Sequence, residues 1–499
     1  MALRLSVTAR VVVGSGLLAA AFACVPQPLP EDCIGAAITA ARNETFVLDS
    51  GETTRPRDLT SSPIEVLIPR GAGGFTICPG SGASDGTLQV PDVPNVSYYL
   101  HVGQLYFVTK DRDLDLSIVT LGRPNVPPPP TNPTTVAVKV SGLELWNTTE
   151  DALQLFSMSA RAFSFGPQVR ASNPPTDADS ALDFSLDWSK EQANLIQGSA
   201  GDTTFLTQLT QKFGDQGPYQ SIERVLSTNS LTIRSGATST LSGTLTAAPT
   251  PTPIATFMWS RSLFDAAATA AGTDGIEAFD ELLVSAEPGG DTRGQYSTVP
   301  SLLFGLPFVG TFDTELSGYE LSNPFPSTWT VLGLVSKVYT QSRTLSGASA
   351  GSFNTQVLVQ DQLDRLTAST VTPLVGPVVA LRFNGKSGYL DQSFSDESPE
   401  VSWSRPSPGP DQVQVAVAEL QIGAGGATTG VVTALVSTGE NKVRIPPGLL
   451  AFDKSYVFLV RAVVAPGADL AHHPTVSSIP FGAADVVSAV MTRTSTVTE

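Results

Sequence analysis

Two stretches spell the nucleophile-elbow pattern G-x-S-x-G: Gly82-Ala83-Ser84-Asp85-Gly86 and Gly347-Ala348-Ser349-Ala350-Gly351. An elbow needs a strand before the serine and a helix after it, so that backbone N–H groups face the oxyanion. Here Ser84 precedes a strand-like run ended by Pro91, and Ser349 precedes the alternating Val357-Leu358-Val359. In a chain with 43 glycines such matches arise by chance. Asp111, Asp113 and Asp115 share one face of a strand, opposite Leu114, Leu116 and Ile118. The plain reading is a solvated face that discourages edge pairing; the sharper one is a calcium site, because hard cations take several carboxylate oxygens. Leu116 stands where an EF-hand loop needs glycine. Asp177, Asp179, Asp183 and Asp187 form a second acidic cluster with the same two readings. His101 reads as a half-buried strand residue. His472 and His473 sit in a loop near Asp469, and adjacent side chains of an extended segment diverge, which makes a shared metal awkward. H-E-x-x-H does not occur. Trp146, Trp188, Trp259, Trp329 and Trp403 suit core anchoring more simply than sugar stacking.

The elements that must position these residues are strands. Val136, Val138 and Val140 alternate with Ala137, Lys139 and Ser141; Val413, Val415 and Val417 alternate with Gln412, Gln414 and Ala416. Such strands bury one face and wet the other, as in antiparallel sandwiches. Leu263–Ala271 and Asp361–Thr370 are the helix candidates. The expected fold class is mainly β: multi-domain antiparallel β-sandwiches with few short helices.

Composition sets the outer bounds. The chain has 499 residues, a net charge of −17, 15% charged residues and 3 histidines. That length suggests about three domains, and the acidic balance disfavours nucleic acid, whose phosphates need cations. Scarce histidine leaves little material for acid–base chemistry.

Residues 1–23 have the layout of an export signal: Arg4 and Arg10, then the apolar run Val11–Ala23. Ala21-Phe22-Ala23 directly before Cys24 resembles a bacterial lipobox, with Ala21 where leucine is commonest and Phe22 larger than usual. Two readings follow, ordinary cleavage with secretion or lipidation of Cys24. Lipidation leaves Cys33 and Cys78 as a pair with no orphan thiol in an oxidising compartment, and is preferred.

Four segments follow. The run Pro124 to Pro133 reads as a stiff extended linker over 124–133. Before it, over 34–123, Asp85-Gly86 turns into Thr87-Leu88-Gln89-Val90, then a Val93-Pro94 corner and Tyr98-Tyr99-Leu100-His101-Val102. This resembles the carboxypeptidase regulatory-like, transthyretin-type sandwich, which implies a structural or binding module. Residues 134–372 form a β-rich region without a family resemblance of its own. Over 378–485, Trp403 followed by Pro406, and Leu450 six residues before Tyr456 with Phe458, Val460 and Ala462 alternating after it, resemble a fibronectin type III domain. Phe452 and Lys454 depart from the common Pro and Thr of that corner. The overall layout resembles multi-domain surface lipoproteins of Gram-negative soil bacteria.

These readings converge on a non-catalytic exported lipoprotein, held at the outer membrane or cell surface by a lipid on Cys24 or otherwise secreted. It is expected to act as scaffold, adhesion or ligand-binding protein toward a protein or glycan, with no cofactor unless calcium binds at Asp111, Asp113 and Asp115. The alternative is a secreted carbohydrate- or peptide-active hydrolase with carboxylates such as Asp202 or Glu150 in the middle region.

Overall fold

The computed structural model describes residues 33–71, 74–270, 276–289, 300–306, 312–423 and 425–495. The export signal (1–23) and Cys24 lie outside the described residues. The fold is mainly β, with several sheets and a few short helices.

The N-terminal module is a sandwich of two sheets. One joins Asp113–Asp115, Ala36–Ala41, Thr87–Val93 and Ser81–Gly82; the other is built from Ile64–Pro69, Phe75–Pro79, Tyr98–Val102 and Leu105–Thr109. Alternation decides the facing: Leu88 and Val90 are buried, Thr87 and Gln89 exposed. Gly86 has φ +82°, and a Cβ there would lie 2.6 Å from the Arg42 carbonyl oxygen, so the turn before this strand requires glycine. Cys33 and Cys78 are joined by a disulfide inside this core, across 45 residues of sequence. In the chain-entropy model such a loop closure contributes at most about 4 kcal/mol.

A second sandwich follows, with its own core. Thr135–Ser141 lies between Ala181–Asp187, antiparallel, and Thr238–Thr244, parallel. Val136, Val138 and Val140 meet Leu182, Phe184, Trp146 and Trp188. The Pro-rich segment 124–133 does not stand free as a spacer. Val126 packs on this core and the Pro127 carbonyl accepts the Leu195 N–H at 3.1 Å. A run of prolines keeps all its carbonyls as acceptors while presenting apolar ring faces, so it can line a sandwich as well as bridge a gap.

The remaining chain builds long strands. Ile276–Pro288, Trp329–Arg343 and Gly351–Gln362 form a meander covered by the helix Arg261–Ala270. The C-terminal module sets Val379–Phe383, Glu400–Ser404 and Lys442–Arg444 against Gln412–Ile422, Thr428–Thr438, Lys454–Val464 and Phe481–Val487. Val357 of the meander pairs with Ala484, so the two share one sheet. The second helix candidate shrinks to Leu363–Leu366, because Asp361 and Gln362 still belong to the preceding strand.

The modules are not strung as beads. Leu105, Tyr106, Phe107 and Val108 pair in parallel with Leu435, Val436, Ser437 and Thr438. A continuous nineteen-stranded sheet therefore runs from the N-terminal sandwich through the C-terminal one and the meander to the middle sandwich. One core follows it, from Tyr99 and Tyr106 through Trp403 and Phe458 to Trp259 and Leu282.

Candidate ligand-binding cleft at the module junction

The parallel pairing fixes the N-terminal module against the C-terminal one, and side chains reinforce it. The Tyr99 hydroxyl accepts the Arg444 N–H at 2.8 Å, while the Arg444 guanidinium donates to the Arg70 carbonyl at 2.6 Å. Ser97 donates to Glu440 at 2.9 Å, and Thr475 to the Ser117 carbonyl at 2.7 Å. Burial pushes the Tyr99 and Tyr106 hydroxyls up to about 12, so both stay neutral.

Two adjoining cavities open along this junction, of about 340 Å³ and about 260 Å³. Phe107, Gln412, Ser437, Leu470 and Pro474 line both, so the two adjoin as one cleft. Gln412 is buried and its amide nitrogen donates to the Leu470 and Pro474 carbonyls, each at 3.4 Å. Its amide oxygen accepts from Gln414 at 2.9 Å. Arg461 lines the smaller cavity and is held by Asp485 through two bonds of 2.7 and 2.9 Å. The Asp485 charge raises the guanidinium further above its ordinary value. Two of the acids on the rim are engaged: Asp411 accepts the Ala465 N–H at 2.9 Å, and Glu440 the Ser97 hydroxyl. Amides, a hydroxyl and a charge-paired guanidinium over a partly aromatic floor can hydrogen-bond a polar ligand; module interfaces are a frequent place for such sites.

A larger groove, of about 680 Å³, runs between Ile254 and Leu363. Its lining is mostly apolar, with Thr252, Thr330, Gln362, Thr367 and the one charged residue, Asp364, as its polar groups.

The residues singled out in the sequence fall elsewhere or serve the framework. Ser84 lies in a turn followed by the strand Thr87–Val93; Ser349 donates to the Gly426 carbonyl at 3.3 Å and is followed by Gly351–Gln362. Neither serine has a helix behind it. Asp113 accepts from Thr39 at 3.2 Å; Asp115 accepts the Ser117 N–H at 2.8 Å and meets His473 Nδ1 at 3.1 Å. Asp111 instead lines the cleft. Asp177 and Asp179 accept from the Thr148 and Thr176 N–H groups, and Asp183 and Asp187 face Lys139 and Lys190. Among the described residues, no group of three or more His, Cys, Asp and Glu side chains is arranged to hold a metal ion. His101 is half-buried, stacked on Tyr106 and 2.9 Å from Glu65. Asp202 is fully buried and takes Arg123 Nε at 2.8 Å, Arg123 Nη2 at 3.0 Å and the Gln197 N–H at 2.7 Å. Glu150 accepts from the Asn147 amide at 2.7 Å.

Sequence reading missed Gln412, Gln414, Ser437 and Arg461. Period-two alternation puts Gln412 and Gln414 on the wet face, correctly opposite Val413 and Val415; that face is roofed by residues of the 465–481 loop and of the strand Leu105–Thr109, both remote in sequence. It also missed a buried charge group beneath the helix Arg261–Ala270, where Arg261 meets Asp280 at 3.0 Å and Lys337 meets Asp265 at 2.6 Å. That group lies within the core and lines none of these cavities.

No family model matches the chain, and no curated protein matches it. Among solved structures, the crystal structure of chicken CNTN1 FN1–FN3 domains is 10% identical and covers 73% of this chain and 99% of its own, at a TM-score of 0.14. A superposition of that quality carries no argument about this chain.

Proposed function

We propose that this is a non-catalytic exported protein, anchored at the cell surface through a lipid on Cys24, that binds a protein or glycan ligand in the junction cleft and acts as a scaffold. The observation that carries the reading is the cleft itself. It lies where two sandwiches share a sheet, it is lined by Gln412, Gln414 and Ser437, and the Arg461 guanidinium within it is paired with Asp485. A junction with amide and hydroxyl lining suits recognition of a polar ligand by hydrogen bonds. Of the carboxylates named for the hydrolase alternative, Asp202 has three structural donors and Glu150 accepts from the Asn147 amide.

The family readings of the outer modules belong to the same proposal. For a fibronectin type III-like C-terminal module, support comes from the Tyr456 hydroxyl accepting the Ala451 N–H at 2.7 Å, with Leu450 and Trp403 buried beside it. In such sandwiches a tyrosine corner of this kind locks the turn between two strands. For a carboxypeptidase regulatory-like N-terminal module, support comes from the Asp85-Gly86 turn, the strand Thr87–Val93 and its return as Tyr98–Val102.

Hydrogen exchange on the mature chain, with and without solubilised glycan from its own cell envelope, tests the binding reading. Added protection confined to residues 105–111, 412–414 and 435–440, and lost in Ser437→Trp, is the expected outcome. Protection elsewhere, or protection that survives Ser437→Trp, contradicts it.

A further inference from the structure

We infer that the tip of the N-terminal module around the Cys33–Cys78 disulfide rests on the lipid bilayer, with Ile34, Ile77 and Val96 as the side chains that meet it. The inference rests on the reading of Cys24 as the lipid-bearing residue. Eight residues lie between Cys24 and Cys33, nine Cα–Cα steps in all. A fully extended chain of that length spans about 30 Å, so the tip cannot stand farther than this from the membrane.

What stands at the tip is apolar. Ile34 is 74% exposed, and Ile77 and Val96 are each 42% exposed. Single exposed aliphatics are ordinary on a protein surface, but these three occur around one corner of the fold. Ile34 follows Cys33, whose Cα is 5.8 Å from that of Cys78, and Ile77 precedes Cys78. On the other side of Ile34, Gly35 packs so tightly on the Val93–Pro94 corner that a Cβ would lie 2.1 Å from the Val93 carbonyl oxygen. The Val96 N–H then returns to the Pro94 carbonyl at 2.9 Å. Disulfide and close packing hold the corner rigid, so the aliphatics have no route to the interior. A cation sits at the same corner. The Arg112 guanidinium donates to the carbonyls of Ala36, Val93 and Pro94, at 3.0, 2.8 and 2.6 Å. On a chain of net charge −17, this is an arrangement suited to a headgroup layer: apolar side chains toward the acyl boundary and a positive group level with phosphates. With the tip on the membrane, the module's orientation is set by two contacts rather than by a loose tether.

The test uses the full lipidated chain reconstituted in phosphatidylethanolamine–phosphatidylglycerol vesicles, with a photoactivated carbene probe confined to the bilayer. Peptides carrying Ile34, Ile77 and Val96 are expected to take label. The triple variant Ile34→Ser, Ile77→Ser, Val96→Ser is expected to lose roughly tenfold of it, since interfacial binding scales with buried apolar area. Val169→Ser, at an equally exposed aliphatic (78%) of the middle sandwich, is expected to change nothing. Mass analysis of the Cys24 peptide runs in parallel and separates the two ideas. A lipidated Cys24 with an unlabelled tip, or with label unaffected by the triple variant, overturns the resting tip and leaves the anchor. An unmodified Cys24 overturns the anchor reading and this inference with it.

Discussion

Glu287 is a carboxyl group with almost no water around it. It is fully buried, its hydrogen-bonding neighbour among the described residues is the Ser285 hydroxyl at 3.5 Å, and desolvation pushes it up to about 8. The native chain therefore keeps this proton through neutral pH, while an unfolded chain releases it near the ordinary glutamate value of about 4.3. Between those values the native state binds more protons, so stability falls as pH rises. The contribution is complete below the unfolded value and is lost as pH climbs through about 8. Unfolding free energies from denaturant titrations between about pH 5 and 7.5 should decline for the wild type by up to about 1.4 kcal/mol per pH unit, and decline less in Glu287→Gln. Equal slopes in the two proteins would remove Glu287 as the cause. The buried acids of this molecule thus serve its framework: one kept neutral, another, Asp202, held by a guanidinium.

That guanidinium acts between elements. Arg123 closes the N-terminal segment, and its bidentate bond to Asp202 latches that segment to the middle sandwich. Removing one partner of such a pair leaves a charge stranded. Arg123→Ala should cost about 3 kcal/mol, the low end for buried pairs because Arg123 keeps some water contact. Adding Asp202→Asn should recover part of the loss, as followed by urea unfolding; a loss under about 0.5 kcal/mol, or none recovered, would deny the latch. The elements themselves were largely legible in the sequence. Alternating Leu88 and Val90, or Val413 and Val415, announces strand and buried face together, and the helix Arg261–Ala270 appears within two residues of its expected start. The cleft was not legible, for a physical reason. Alternation reports which face of a strand is apolar, but Gln412 and Gln414 look solvated until the 465–481 loop covers them. Similarly, Asp202 spelled a possible catalytic acid, because its partner Arg123 stands in another segment of the chain.

At the scale of the whole molecule, the sequence suggests separate modules and the structure joins them. Residues 105–108 pair with 435–438 across more than three hundred residues, a contact with no local signature. It converts two sandwiches into one continuous sheet, forms walls of the cleft and fixes the disulfide-bearing tip relative to the rest. The parallel pairing and the Arg444 contacts join the two outer modules into one sheet-bound unit. Amide hydrogen exchange along the two paired strands tests this most directly. Slow exchange is expected at residues 105–108 and 435–438, with simultaneous opening of both strands, as for one cooperative unit. Rapid exchange in both strands, with the flanking strands of each module still protected, would mean hinged, independent modules and would contradict it.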